Sequence, residues 1–239
     1  MIKPGHVTTV FKKDFLSFFN SPIAYIVITV FLLIAGWLFF QQFFLAGTAT
    51  LRPLFSLIPL LFIFFAPAIT MRLVAEERKT KTFSLLLTLP ISNAEIILGK
   101  FLAAWGLLAV ALLLTVPYAV TVASVGSLDW GPVLGGYLGG LLMGAAYLAI
   151  GMLGTSITRN QIVAFILGLG TCFVFFIIDK VLIFLPEKAA SFFEYLSVDF
   201  HFHNIARGVI DLRDLVFYIT FISAFLIHSV YAIQREQWR

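Results

Sequence analysis

The chain has 239 residues, of which 61% are hydrophobic and 12% charged, with a formal net charge of +4 and a mean hydropathy of +1.02. A soluble domain carries about 25% charged residues, so this composition excludes a soluble fold of the same size, and 27 Phe suit surfaces that face lipid. The basic surplus does not point to nucleic acid, because the Lys and Arg residues sit between hydrophobic segments, where they set membrane topology.

Along the chain, Val7, Val10, Phe11, Phe15 and Phe18 fall on one helical face, with Asp14 intruding and Lys12 and Lys13 off it. This pattern predicts an N-terminal helix at the membrane surface or a charged lead-in to the first span. Lys3, Lys12 and Lys13 precede an apolar run too long for a cleavable signal peptide, and no small-residue cleavage site follows it. Six spans of about 20 residues or more are expected. The first runs from Pro22 to Leu45, with Ser21 as its cap, and the second from Leu54 to Leu73, where Pro59 and Pro67 predict a kink or break. The others run from Ile96 to Ala123, Pro132 to Ile157, Gln161 to Ile183 and Leu215 to Ile233, the last capped by Asp211. Between Leu185 and Asp214 a polar and aromatic stretch predicts short helices at the outer interface. The fold class is therefore all-α and polytopic, and residues 1–239 are read as a single domain.

Charge sets the orientation. With the N-terminus inside, eleven of the sixteen Lys and Arg residues face the cytoplasm, and Arg52, Lys180, Lys188, Arg207 and Arg213 make up the other five. This excess places both termini in the cytoplasm and agrees with an even number of spans.

Chemistry is sparse. The spans hold almost no ionisable residue at mid-membrane, which disfavours a proton-driven carrier. His228 in the last span reads as a packed or inward-facing polar residue. Gly99-Lys100 lacks the rest of a phosphate loop, so any ATP must be bound by another chain. The sole cysteine, Cys172, excludes an intrachain disulfide. His201 and His203, with Asp199 or Glu194, would be the residues of a metal site or of a lipid-acting enzyme; the pattern fits interfacial histidines beside aromatics better, with no metal. Gly136, Gly140 and Gly144 form a ladder parallel to Gly135 and Gly139, a packing face for another helix or subunit.

The loop between the second and third spans differs in kind. Glu76-Glu77-Arg78-Lys79 leads into Phe83, Leu86, Leu87 and Pro90 at helical spacing, which predicts a short amphipathic helix. Ser92 and Glu95 form a capping box that starts the third span. On the residues alone, this loop is either a topology anchor or a surface on which a cytoplasmic partner pushes.

The stretch from Met71 to Ala104 resembles the cytoplasmic coupling region of ABC-2-type transporter permeases. The matching positions are Glu76, Glu77, Arg78, Thr82, Leu85, Leu86, Leu87, Thr88, Pro90, Ile91, Glu95, Gly99 and Lys100, with Lys81 where the family has Gly. Thr158 to Ala164, and His201-Phe202 followed by Arg207 to Asp211, are similar to two further family segments, and the likeness is greatest to the gliding-motility-associated branch.

The resemblance implies a permease subunit without catalysis or cofactor of its own, driven by cytoplasmic ATPase subunits that bind ATP and Mg. Glu76, Glu77, Arg78, Thr82, Leu86 and Pro90 would couple the two. It implies a second permease copy or related subunit, an auxiliary subunit with an outer domain, location in the inner membrane and export of an unidentified substrate. A non-transporting mechanochemical or remodelling complex is the alternative, and a membrane-embedded enzyme acting on lipid is another.

Overall fold

The computed structural model describes residues 3–80, 90–181, 186 and 193–237. Among them the secondary structure is helical, without strands. The helices are α1 (Pro4–Asn20), α2 (Pro22–Ala46), α3 (Arg52–Thr70), α4 (Ala75–Lys79), α5 (Asn93–Leu113), α6 (Val116–Val125), α7 (Trp130–Ile157), α8 (Gln161–Val181), α9 (Val198–Ala206) and α10 (Leu212–Gln237). Six stretches are long and apolar enough to cross a membrane, with α3 and α4 forming one and α5 and α6 another.

The centre of the bundle is α7, which packs against α3, α5, α8, α9 and α10. Its small residues permit this. A Cβ on Gly136 would strike the Phe55 ring, and one on Gly144 would lie 2.7 Å from Leu108 Cδ2 and 3.1 Å from Phe62; Gly140 faces Ile58 and Leu112. This ladder therefore meets α3 and α5 within the chain. The parallel row, Gly135 and Gly139, meets α9 and Gly208, whose φ of +89° ends the α9 turn in a conformation that favours glycine. Changing Gly136 to Leu is expected to lower the thermal unfolding midpoint in detergent, because overpacking costs about 1–3 kcal/mol, whereas Gly170→Leu meets open space and should leave the midpoint unchanged.

Several sequence expectations are corrected. Ser21 does not cap α2; its hydroxyl donates back to the Phe18 carbonyl at 3.2 Å. Of the kink or break expected at Pro59 and Pro67, the break does not occur: α3 is helical through both, with Pro67 seated against Gly168 of α8, so neighbouring helices hold the segment helical where ladder bonds are lost. The third span runs as expected but turns within itself at Leu114–Thr115, where Pro117 offers no amide hydrogen to the Leu113 carbonyl. His228 lies exposed on α10, because the buried face of that helix carries Asp214, Tyr218, Phe221, Ser229 and Ile233. Asp211 does cap α10, accepting from the Arg213 amide at 3.0 Å.

The outward faces of α2, α8 and α10 remain apolar and exposed, as at Trp37, Phe44, Ile166 and Tyr231. Surfaces of this extent belong against lipid or another subunit. At the end of the bundle where α5 begins, α1 lies lengthwise against it: Val10 covers Gly99, and Phe15 covers Gly106. Of α1, the side chains of Val10, Asp14 and Phe18 are buried.

Candidate functional site

The charged end of the bundle is built from α1, α4, the start of α5 and the end of α7. After α3, a turn over residues 71–74 leads into α4. This junction is fixed by Thr155 of α7, whose hydroxyl donates to the Met71 carbonyl at 3.1 Å and accepts from the Ala75 amide at 3.0 Å. Arg78 donates to the Ser156 carbonyl at 2.7 Å, a second tie to the end of α7. The acidic residues of α4 stand in its first turn and the basic ones in its last, which complements the helix dipole.

Four charges join these elements. Lys100 of α5 is 1% exposed, and its Nζ lies 2.9 Å from Asp14 Oδ2 of α1 and 2.8 Å from Glu77 Oε2 of α4. Glu77 Oε1 accepts from Lys13 Nζ at 2.9 Å. The quartet is formally neutral, two cations against two carboxylates. Burial works against the charged form of Lys13, but Glu77 and Asp14 outweigh it and hold its pKa above the usual lysine value. Separating a charge from such a node leaves an uncompensated ion in a low-dielectric setting.

Around the node, Glu76 receives a two-pronged contact from Arg72, Nε to Oε2 at 2.7 Å and Nη2 to Oε1 at 3.0 Å. The capping box at Ser92 and Glu95 is present, and Glu95 further accepts from the Lys3 amide at 2.5 Å and lies 3.2 Å from His6 Nδ1. Glu95 thereby anchors the beginning of α1 to the beginning of α5. An open cavity of about 290 Å³, lined by Asp14, Arg72, Glu76, Glu77 and Lys100 among others, reaches the node.

Of the coupling residues expected from the sequence, Glu76, Glu77 and Arg78 come together here, each held by the chain itself, and Pro90 is exposed just before α5. Thr82 and Leu86, with the rest of the expected amphipathic helix from Phe83 to Leu89, lie outside the described residues. Sequence reasoning missed the pairing of Asp14 with Lys100. Its signal was two ionisable residues at apolar positions, Asp14 on the apolar face of α1 and Lys100 inside a spanning segment.

At the opposite end, His201 is buried and stacked on Phe217 with ring centroids 4.0 Å apart. Its Nδ1 lies 2.6 Å from Asp214 Oδ1 and its Nε2 3.3 Å from the Tyr195 carbonyl. The Nδ1 contact joins α9 to α10, and the Nε2 contact ties α9 to the segment just before it. Asp199 pairs with Lys180 at 2.9 Å, yet burial, the larger influence, raises its carboxyl above the usual range. Among the described residues, no group of three His, Cys, Asp or Glu side chains is arranged to hold a metal ion.

A family model described as "ABC-2 family transporter protein" matches residues 8–237. No curated protein matches the chain.

Proposed function

The chain belongs to the ABC-2 transporter family, a multi-pass membrane permease subunit, and from that premise we propose that its charged end is the cytoplasmic surface on which an ABC ATPase docks and pushes. The observation that carries this reading is the position of Glu77, which ties α4 to both α1 and α5 through Lys13 and Lys100. A partner that displaces α4 must move or break this tie, so force applied at the loop reaches the second and third spans together. Arg78, tied to Ser156, extends the same connection to α7. Glu76, Glu77, Arg78, Thr82, Leu86 and Pro90 make up the proposed contact, with ATP and Mg bound in the partner.

On this reading residues 1–239 form one transmembrane domain in the inner membrane with both termini cytoplasmic. The exposed apolar faces of α2 and α8 support pairing with a second permease copy or related subunit. The likeness to the gliding-motility-associated branch supports either export of a substrate or mechanical remodelling through an auxiliary subunit with an outer domain. His201 is spent on structure, which speaks against the lipid-acting enzyme.

Co-expression with a cognate ABC ATPase tests the reading. The purified chain alone is expected to show no ATP hydrolysis, and the pair is expected to co-purify. Leu86→Asp should weaken co-purification by about 2 kcal/mol or more, the scale of an interface hot spot. Equal recovery of the ATPase with Leu86→Asp and with the parent chain would place the docking surface elsewhere.

A further inference from the structure

At the far end of α3 from the ionic node, an open pocket of about 430 Å³ is lined by Arg52, Phe55, Ser56, Phe202, His203 and Arg207, together with Ala206. Arg52 begins α3 and Arg207 follows the last residue of α9. Among the described residues neither guanidinium has a hydrogen-bond or ion-pair partner. Four carboxylates of this end are engaged elsewhere: Asp199 with Lys180, Asp214 with His201, Asp211 with the Arg213 amide and Asp129 with the Gly131 amide. His203 holds the Asp199 carbonyl through Nδ1 at 2.9 Å, which leaves Nε2 for a ligand. Phe55 and Phe202 are 3% and 1% exposed and supply a fixed apolar wall.

We infer that this pocket binds the head and upper chain of an anionic amphiphile, a phosphate- or carboxylate-headed lipid-like molecule. Guanidinium forks match these head groups in geometry and charge, and the first turn of α3 adds a positive dipole end. A small inorganic anion would leave the Phe wall unused. A neutral amphiphile would leave the two guanidiniums without an ion-pair partner among the described residues. Basic residues are disfavoured on the translocated side of a membrane protein, and a shared ligand explains why two stand together here. The inference rests on the permease reading for the side of the membrane and for the link to transport; the pocket's chemistry is independent of it.

The test uses the full chain in phosphatidylcholine nanodiscs and measures retention of labelled dodecyl phosphate. The R52Q/R207Q double variant is expected to bind about tenfold more weakly or worse, since each charge-assisted contact contributes on the order of tenfold in affinity. Arg213→Gln, an exposed arginine outside the pocket, should bind as the parent does, and an unchanged thermal midpoint shows that the variants fold. Single R207Q, with a partial loss, serves if the double variant is unstable. Equal binding by parent and variant overturns the proposal, as does inorganic phosphate binding as tightly as dodecyl phosphate or dodecyl maltoside showing the same arginine dependence. With the ATPase present, stimulation of hydrolysis by dodecyl phosphate in the parent alone identifies a carried ligand, and arginine-dependent binding without stimulation identifies a resident lipid. Binding without any ATPase assembly would leave the pocket standing and remove the permease reading instead.

Discussion

Lys100→Met is expected to destabilise the protein by about 3–5 kcal/mol, the cost of breaking a buried ion pair from one side, and to release α1 from α5. Lys100 is 1% exposed between Asp14 and Glu77, so removing it leaves Asp14 buried against apolar neighbours with only Lys13, 3.8 Å from its other oxygen, to balance it. Denaturant unfolding of the detergent-solubilised chain would read the stability. Protease cleavage after Lys12 or Lys13 would read the release of α1. Two companions make the result specific. Lys100→Arg keeps the charge and should lose less than half as much. The combination D14L/K100M/E77Q removes three of the four charges together and leaves only the half-exposed Lys13, and it should recover most of the stability, because apolar replacements of a buried ionic group are often neutral or better. If K100M unfolds within about 1 kcal/mol of the parent, the range of a surface pair, the node is not a structural clamp.

The spans were legible because long apolar runs with few charges have no other stable form, and their ends follow from Pro22, the Ser92 box and Asp211. Local chemistry misled where tertiary contacts decide. Pro59 and Pro67 read as a kink or a break, and α7 and α8 pack on α3 and keep it helical through both. Ser21 has a cap's chemistry, yet its hydroxyl turns to Phe18. The glycine ladder was legible as a close-packing ridge, but its partners were not, since Phe55, Ile58 and Phe62 lie on a helix far away in sequence. The same limit hid the charged node. Asp14 and Lys100 are 86 residues apart, and no periodicity links an acid on one amphipathic helix to a lysine in a separate span. Of the candidate site, the α4 residues could be named from sequence, whereas the fact that Glu77 faces inward to the chain could not.

That inward orientation separates the two adjacent acids of α4, which sequence treats as a pair. Glu76→Gln removes an i,i+4 contact to Arg72 on the same segment, with both side chains about a third exposed; such contacts contribute about 0.3–0.5 kcal/mol, and coupling should survive. Glu77→Gln removes a charge that α4 shares with both α1 and α5. A hydrogen bond to a charged group is worth about 1.5–3 kcal/mol, enough to shift a two-state equilibrium by about tenfold to a hundredfold. In the complex with its ATPase, E77Q is therefore expected to assemble and hydrolyse ATP while the permease no longer responds. The response is measurable without knowing the substrate, as the change in amide hydrogen exchange of α2, α3 and α5 when ATP and vanadate trap the ATPase. The parent and E76Q should show it, and E77Q should lose most of it. A full response in E77Q would mean that force enters the bundle through another contact, with Arg78 and its bond to the Ser156 carbonyl the next to alter. An equal loss in E76Q would mean that the partner reads the two carboxylates directly, as a charged docking surface, and that the tie to Lys100 serves the resting fold alone.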